Sequence, residues 1–354
     1  MELENTNIIS YKPLIAPNEL EKKLPINKEI KLFVLKTRRE IERIISKDSD
    51  KLLFIVGPCS IHNPEEALLY GKKLKGLSEK VKDKILIVMR TYFEKPRTTI
   101  GWKGLINDPD LNNTFNVNDG LYKARKLLIK LNMLKLPCGY EVLDTITPQY
   151  ISELMSWGAV GARTTESQVH RQLVSGLSMP VGFKNGTGGS LDLARDAILS
   201  AAHPHCFMGI SQGGIPSICS TRGNNNCHII LRGGSKGPNY EKPFIEECQQ
   251  KLREKNLKEA IMVDCSHGNS RKNHKNQHLV LENIMNQHLE NNKTSSPIMG
   301  IMMESNLNEG NQKYDPKNPY ELKKGISITD SCVSFEETER IILEAYKKLK
   351  STTE

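Results

Sequence analysis

Eight short apolar runs recur through residues 52–304, separated by amphipathic stretches, and each finishes on a polar, chemically capable residue. They are LLFIVG leading to Cys59, ILIVMR to Arg90, CGYEVL around Glu141, AVGAR to Arg163, PVGFK to Lys184, CHIILR to Arg232, AIMVDCSH to His267 and IMGIMME to Glu304. Strands that stay apolar along their whole length are those of parallel sheets covered on both faces, and alternation with helical stretches predicts repeated βαβ units. Eight units in order predict a closed (β/α)8 barrel, a fold that needs about 250 residues and gathers its chemistry at the C-terminal ends of the strands. The 354 residues exceed that, so additions to the barrel are expected.

Residues 1–50 read as an N-terminal addition. An extended arm carrying Pro13, Pro17 and Pro25 is followed by a helix of period 3.6 from about Lys28 to Ser46. Residues 51–354 are the barrel itself, interrupted at about 204–222 by a predicted antiparallel hairpin: CFMGIS, then Gly213 and Gly214, then SICST, between the fifth and sixth barrel strands. Gly310 to Lys324 reads as a loop, and a last helix from about Glu336 to Lys350 closes the barrel. No internal repeat is evident.

Composition sets limits on function. No apolar run approaches the roughly 20 residues of a membrane helix, and the acidic start Met-Glu-Leu-Glu lacks the basic and apolar segments of an export signal, so a cytoplasmic protein is expected. Eight cysteines without CxxC pairing suit reduced thiols, one of them chemically employed. A net charge of +9 admits nucleic acid or anionic metabolites as partners. Lysine-rich stretches such as Lys72 to Lys84 read as solvated helix faces, the aromatics are not interleaved with basic clusters and no nucleic-acid module is present, so nucleic acid is not expected.

The strand-end residues carry the functional reading. Arg90, Lys95, Arg97, Arg163, Lys184 and Arg232 would converge on one pocket, and so many cations in one place require anions. A ligand set with two phosphates and a carboxylate would satisfy them, with arginine forks binding such groups bidentately. The glycines of Arg232-Gly233-Gly234 and Asn185-Gly186-Thr187-Gly188-Gly189 would let backbone amides approach a phosphate. Cys59, His267, Glu304 and Asp330 lie at strand ends one, seven and eight and just beyond, which barrel closure makes neighbours. A thiolate, an imidazole and two carboxylates suit Mn(II), Fe(II), Co(II) or Zn(II). His62, His170, His203, His205, His228, His274, His278 and His288 are read as structural or surface residues.

Five segments in register, Gly57-Pro58-Cys59-Ser60-Ile61-His62, Lys95-Pro96-Arg97-Thr98-Thr99, Gly161-Ala162-Arg163-Thr164-Thr165-Glu166-Ser167, Gly182-Phe183-Lys184-Asn185-Gly186-Thr187 and His228-Ile229-Ile230-Leu231-Arg232-Gly233-Gly234, resemble the type I 3-deoxy-D-arabino-heptulosonate-7-phosphate (DAHP) synthases. The resemblance covers essentially the whole chain. It implies a (β/α)8 enzyme that condenses phosphoenolpyruvate with erythrose 4-phosphate and releases phosphate, the first committed step of aromatic amino-acid synthesis.

Carried over by motif, the resemblance gives one divalent metal ion held by Cys59, His267, Glu304 and Asp330. It assigns phosphoenolpyruvate to Arg90, Lys95, Arg163, Lys184 and Arg232 with backbone at Gly161 and Ala162, and the aldose phosphate to Lys95, Pro96, Arg97, Thr98 and Asp330. The metal would polarise the aldehyde oxygen, C3 of phosphoenolpyruvate would attack that carbon, and water would add to C2 before phosphate leaves. Glu141 would orient or carry protons beside those carbons, completing a catalytic group of Lys95, Glu141, Cys59 and His267. The resemblance also implies a homodimer or homotetramer whose arm reaches a neighbour. It implies an aromatic amino-acid inhibitor near the arm and hairpin, with Asn7 and Gly209 as candidate contacts and tyrosine as the favoured effector. Cys332, close in sequence to Asp330, would approach Cys59 and could form a disulfide with it on oxidation. This chain departs from the pattern in Gly188, where the family often has Asp, and in Thr6 and Asn7, where several members are acidic. Rival readings are the related synthase that uses arabinose 5-phosphate, which lacks the Lys-Pro-Arg-Thr loop, and a catalytically silent sensor of aromatic amino acids.

Overall fold

Eight parallel strands close on themselves in a computed structural model of the chain, which describes residues 3–290, 296–319 and 321–351. The strands are β1 (Leu52–Gly57), β2 (Ile85–Arg90), β3 (Cys138–Glu141), β4 (Trp157–Val160), β5 (Val181–Lys184), β8 (Cys227–Leu231), β9 (Ile261–Asp264) and β10 (Ile298–Glu304). Pairing of β1 with both β2 and β10 completes the ring. All eight coincide with the apolar runs of the sequence. The remaining two, β6 (Cys206–Ile210) and β7 (Pro216–Ser220), form the separate antiparallel hairpin expected between the fifth and sixth barrel strands.

The barrel interior is packed rather than hollow. Leu53, Ile55, Val88, Trp157, Ala159, Ile230, Met262 and Met302 fill it, and Ile41, Ile44 and Ile45 of the helix Lys28–Ile45 join the same cluster, so that helix plugs the bottom of the barrel. Its position is fixed by Arg38, whose guanidinium donates to the carbonyls of Met155 (2.9 Å) and Ser152 (2.7 Å). Inside, the Trp157 indole donates to His228 Nε2 at 2.9 Å, and burial holds the histidine down to about 4.

The N-terminal addition is not wholly extended, as the sequence had suggested. Pro17 opens a helix, Pro17–Lys23, instead of prolonging the arm, because proline at the first helical position has no amide to leave unsatisfied and its φ is already helical. The lysine-rich helix spans Pro64–Val81, starting earlier than its lysines suggest because Asn63 caps it and Pro64 opens it. Met1 and Glu2, at the start of the arm, lie outside the described residues. The hairpin turn meets the arm: the Asn18 amide donates to Gln212 O at 2.9 Å. Asn7 is exposed in the arm and Gly209 lies in β6, opposite Ser217.

Candidate active site

The C-terminal ends of the barrel strands open into one cavity of about 950 Å3. Residues at the ends of β2, β3, β4, β5, β8, β9 and β10 and in the loops after them line it, as expected of a barrel whose active end is built from βα loops.

At the floor, Cys59 Sγ and one carboxylate oxygen each from Glu304 and Asp330 lie within 4.8 Å of one another. Register accounts for this: Glu304 at the end of β10 pairs with Gly57 of β1, two residues before Cys59, and Asp330 reaches over from the following loop. Gln277 pins Glu304, accepting from its amide and donating to its carbonyl, both at 2.9 Å. His267 stands beside this group, its Nε2 3.9 Å from Glu304 Oε1, while Nδ1 faces Asp264 Oδ2 at 2.9 Å and Ser266 Oγ at 2.7 Å. A carboxylate behind the imidazole is the arrangement that fixes ring orientation in ligating histidines. His267 has φ +56, an uncommon value for a residue with a side chain. Two carboxylates and a thiol gathered this closely form a donor set for a cation. A thiol, two carboxylates and an adjacent imidazole fit Mn(II), Fe(II), Co(II) or Zn(II).

Lys95 reaches the same point, donating to Cys59 Sγ at 3.1 Å and Cys59 O at 3.2 Å. Burial alone would lower the lysine, but Cys59, Glu304, Glu141 and Asp330 outweigh it and raise its pKa. Burial, then Glu304, push the Cys59 thiol up to about 12, against the pull of Lys95. Asp330, at the cavity rim, is held below the usual carboxylate range: partial burial opposes this, but Lys95 and His267 prevail.

The six cations divide into distinct environments. Lys184 is buried and paired with Asp264 at 2.9 Å, and Arg90 is buried and paired with Glu304 at 3.0 Å. Arg90 also donates to the Pro58 carbonyl and packs over the Tyr92 ring, beneath the cavity rather than on its wall. Among the described residues, Arg97, Arg163 and Arg232 line the cavity with no carboxylate within 4.0 Å, and these guanidinium groups are the ones left in need of an anion. Glu141 lies against Gly161, where an added Cβ would fall 2.2 Å from its Oε1. Pro96, Thr98, Gly161 and Ala162 are on the wall as well.

Two features lay beyond the sequence reading. His274, which the sequence reads as structural or surface, lines the cavity and shares a 3.0 Å hydrogen bond with Ser331 Oγ. Asp264 joins Lys184 to His267 and is held well below the carboxylate range, since its ion pair with Lys184 and its contacts with His267 and Ser266 overcome its complete burial. The available signal was an acidic residue closing an apolar strand three positions before a candidate ligand. Cys59 and Cys332 are both buried free thiols.

Comparison with known proteins places this arrangement. A family model described as the DAHP synthetase I family matches residues 6–343. The Tyr-sensitive phospho-2-dehydro-3-deoxyheptonate aldolase of Escherichia coli is 46% identical over 347 residues, covering 98% of this chain and 96% of that protein. The Phe-sensitive one of the same species is 47% identical, covering 98% of each. The solved structure of phospho-2-dehydro-3-deoxyheptonate aldolase from Francisella tularensis superposes with a TM-score of 0.93 at 48% identity, covering 97% of this chain and 99% of that one.

Proposed function

The chain belongs to the DAHP synthetase I family and is a DAHP synthase, and on that premise we propose how its residues divide the condensation of phosphoenolpyruvate with erythrose 4-phosphate. The observation that carries the proposal is the convergence, at one end of the barrel, of three unpaired guanidinium groups on a cluster of thiol, carboxylates and imidazole.

Arg163, Arg232 and Lys184 hold the phosphate and carboxylate of phosphoenolpyruvate, with the backbone of Gly161 and Ala162 completing the seat. Bidentate forks from the loops after β4 and β8, with Lys184 of the intervening β5 between them, fix the enol's plane, so C3 presents one face. Arg90 acts from below by holding Glu304 in place. Pro96, Arg97 and Thr98 bind the aldose phosphate, and Asp330 and Lys95 face its aldehyde end. Cys59, His267, Glu304 and Asp330 would hold a divalent ion, which when bound would supply Lewis-acid polarisation of the aldehyde oxygen. Lys95, with its proton held firmly, is placed to stabilise negative charge developing on that oxygen. Glu141, against Gly161, is placed to orient the water that adds at C2.

The same reading extends to regulation and assembly. An aromatic amino acid, tyrosine in preference, inhibits the enzyme through the arm and hairpin, near Asn7 and Gly209. The working species is a homodimer or homotetramer in the cytoplasm. The related enzymes are named for sensitivity to tyrosine and to phenylalanine. No described helix is long and apolar enough to cross a membrane.

The test is release of phosphate from phosphoenolpyruvate by the Mn(II)-reconstituted protein, with and without erythrose 4-phosphate, alongside Cys59→Ala. Release that needs both the aldose and the metal, and disappears in the variant, is the expected result. Equal release from arabinose 5-phosphate, or full activity in Cys59→Ala, would overturn the assignment. An inhibition panel of tyrosine, phenylalanine and tryptophan tests the effector.

A further inference from the structure

The loops after β5, β8 and β9 meet backbone to backbone. A Cβ on Gly234 would fall 2.5 Å from the Gly189 amide nitrogen, and one on Gly233 2.6 Å from the Gly268 carbonyl carbon. Nothing larger than glycine fits between them, so side chains cannot interlock there. Instead, three buried asparagines join these loops by hydrogen bonds.

Asn239 is the middle member. Its Oδ1 accepts from the Gly233 backbone N–H at 2.7 Å, its Nδ2 donates to Asn185 Oδ1 at 3.1 Å, and its backbone N–H donates to Asn269 Oδ1 at 2.8 Å. Asn185 Oδ1 also accepts from the Arg232 amide at 2.8 Å, and its Nδ2 donates to the carbonyls of Gly186 and Gly233, each at 2.9 Å. Asn269 continues the chain, donating to Leu231 O at 3.1 Å and Asp264 O at 2.9 Å. The Gly268 amide donates to Arg232 O at 3.0 Å. The residues so tied stand next to Lys184, Arg232 and His267 in sequence.

We infer that Asn239 is a positioning residue that locks the loops of Lys184 and Arg232 to the loop of His267, so that the anion seat and the metal-side histidine hold one geometry. The inference rests on the reading that Lys184 and Arg232 bind phosphoenolpyruvate and His267 binds the metal. An amide suits the middle position because it offers a donor and an acceptor at once. The side chain supplies two of the bonds, from Gly233 and to Asn185, and the backbone N–H supplies the third, to Asn269; losing the side chain leaves buried partners unpaired on the Lys184 and Arg232 loops, and the slack passes to the His267 loop through the Gly268 amide on Arg232 O.

Two experiments decide it. In Asn239→Ala, the KM for phosphoenolpyruvate should rise and Mn(II) affinity, read by electron paramagnetic resonance titration, should fall, each by roughly tenfold or more. The KM for erythrose 4-phosphate, whose seat lies on the loop after β2, should stay within about twofold. Unchanged phosphoenolpyruvate KM and Mn(II) affinity in the folded variant would overturn the inference, and so would equal rises in both KM values. Arg232→Ala run in parallel separates the two readings: if it leaves phosphoenolpyruvate KM unaltered, the site assignment itself fails.

The second experiment needs no variant and decides the matter even if Asn239→Ala does not fold. Hydrogen exchange of the wild-type chain with Mn(II) alone should slow the amides of Arg232, Gly233 and Asn239 together with Gly268, by roughly tenfold. Slowing confined to the His267 loop would show that the three loops do not move as one.

Discussion

At the scale of single residues, the site depends on charges that are compensated in pairs and on one close packing contact. Asp264 neutralises Lys184 and orients His267, so Asp264→Ala leaves a buried ammonium unpaired. Breaking a buried pair from one side costs about 3–5 kcal/mol. Urea unfolding should show that loss, with a raised KM for phosphoenolpyruvate in whatever protein stays folded. Gly161→Ala should behave in the opposite way. The new methyl would fall 2.2 Å from Glu141 Oε1, the far end of a flexible side chain, so the fold accommodates it while the carboxylate is displaced. Stability should change by less than about 1 kcal/mol, whereas kcat should fall at least about tenfold if Glu141 orients the water. A kcat equal to wild type would remove Glu141 from the chemistry. The residues of this network differ in how readily sequence reveals them. Cys59, Glu304, Lys184 and Arg232 end apolar runs and announce themselves. His274 and Asn239 act through partners more than five residues away in sequence, as Asp264 does through Lys184, and no local pattern marks such a partnership.

Among the elements, the strands were legible because a parallel strand buried on both faces must be apolar throughout, and the polar residue that ends each run marks where the core stops. The helix Pro17–Lys23 was not, because proline signals both the end of regular structure and the start of a helix, and only tertiary packing decides. The helix Lys28–Ile45 carries its own prediction. Ile41 is completely buried in the cluster that fills the barrel, far along the strands from the active end. Ile41→Ala should cost about 2–5 kcal/mol in urea unfolding, with kcat and both KM values of the folded enzyme at 25 °C unaltered. Beside Trp157 of the same cluster, burial holds the His228 imidazole down to about 4 from an ordinary value of 6.5. Above pH 6.5 the residue contributes no pH dependence. As pH falls from 6.5 towards 4 the unfolded chain takes up the proton first, so stability is lost across that window. His228→Gln should flatten that part of the stability curve, and an unchanged slope would show that other groups produce it.

For the molecule as a whole, the question is what covers the apolar surface left by the arm and hairpin. Met208 and Ile218 face each other across the hairpin register at 93% and 80% exposure, and Ile9 of the arm is wholly exposed. Burying each such side chain is worth about 1.5–3 kcal/mol, so all three together could contribute substantially to an association between copies. The hairpin is antiparallel, two-stranded and outside the barrel, and a lone pair of strands is at best marginally stable in water. Its turn is steadied by the Asn18 amide, which places arm and hairpin in one unit. Assembly through this unit therefore predicts that a chain lacking residues 1–16, and separately the double variant Met208→Lys with Ile218→Lys, sediments as a smaller species than the full chain at the same concentration. Both should keep the barrel's catalytic turnover, since no cavity-lining residue is altered, but both should lose inhibition by tyrosine if the effector acts through this unit. A sedimentation coefficient equal to wild type in both proteins would exclude the arm and hairpin as the interface. Loss of assembly with inhibition intact would separate the effector's seat from the contact between subunits.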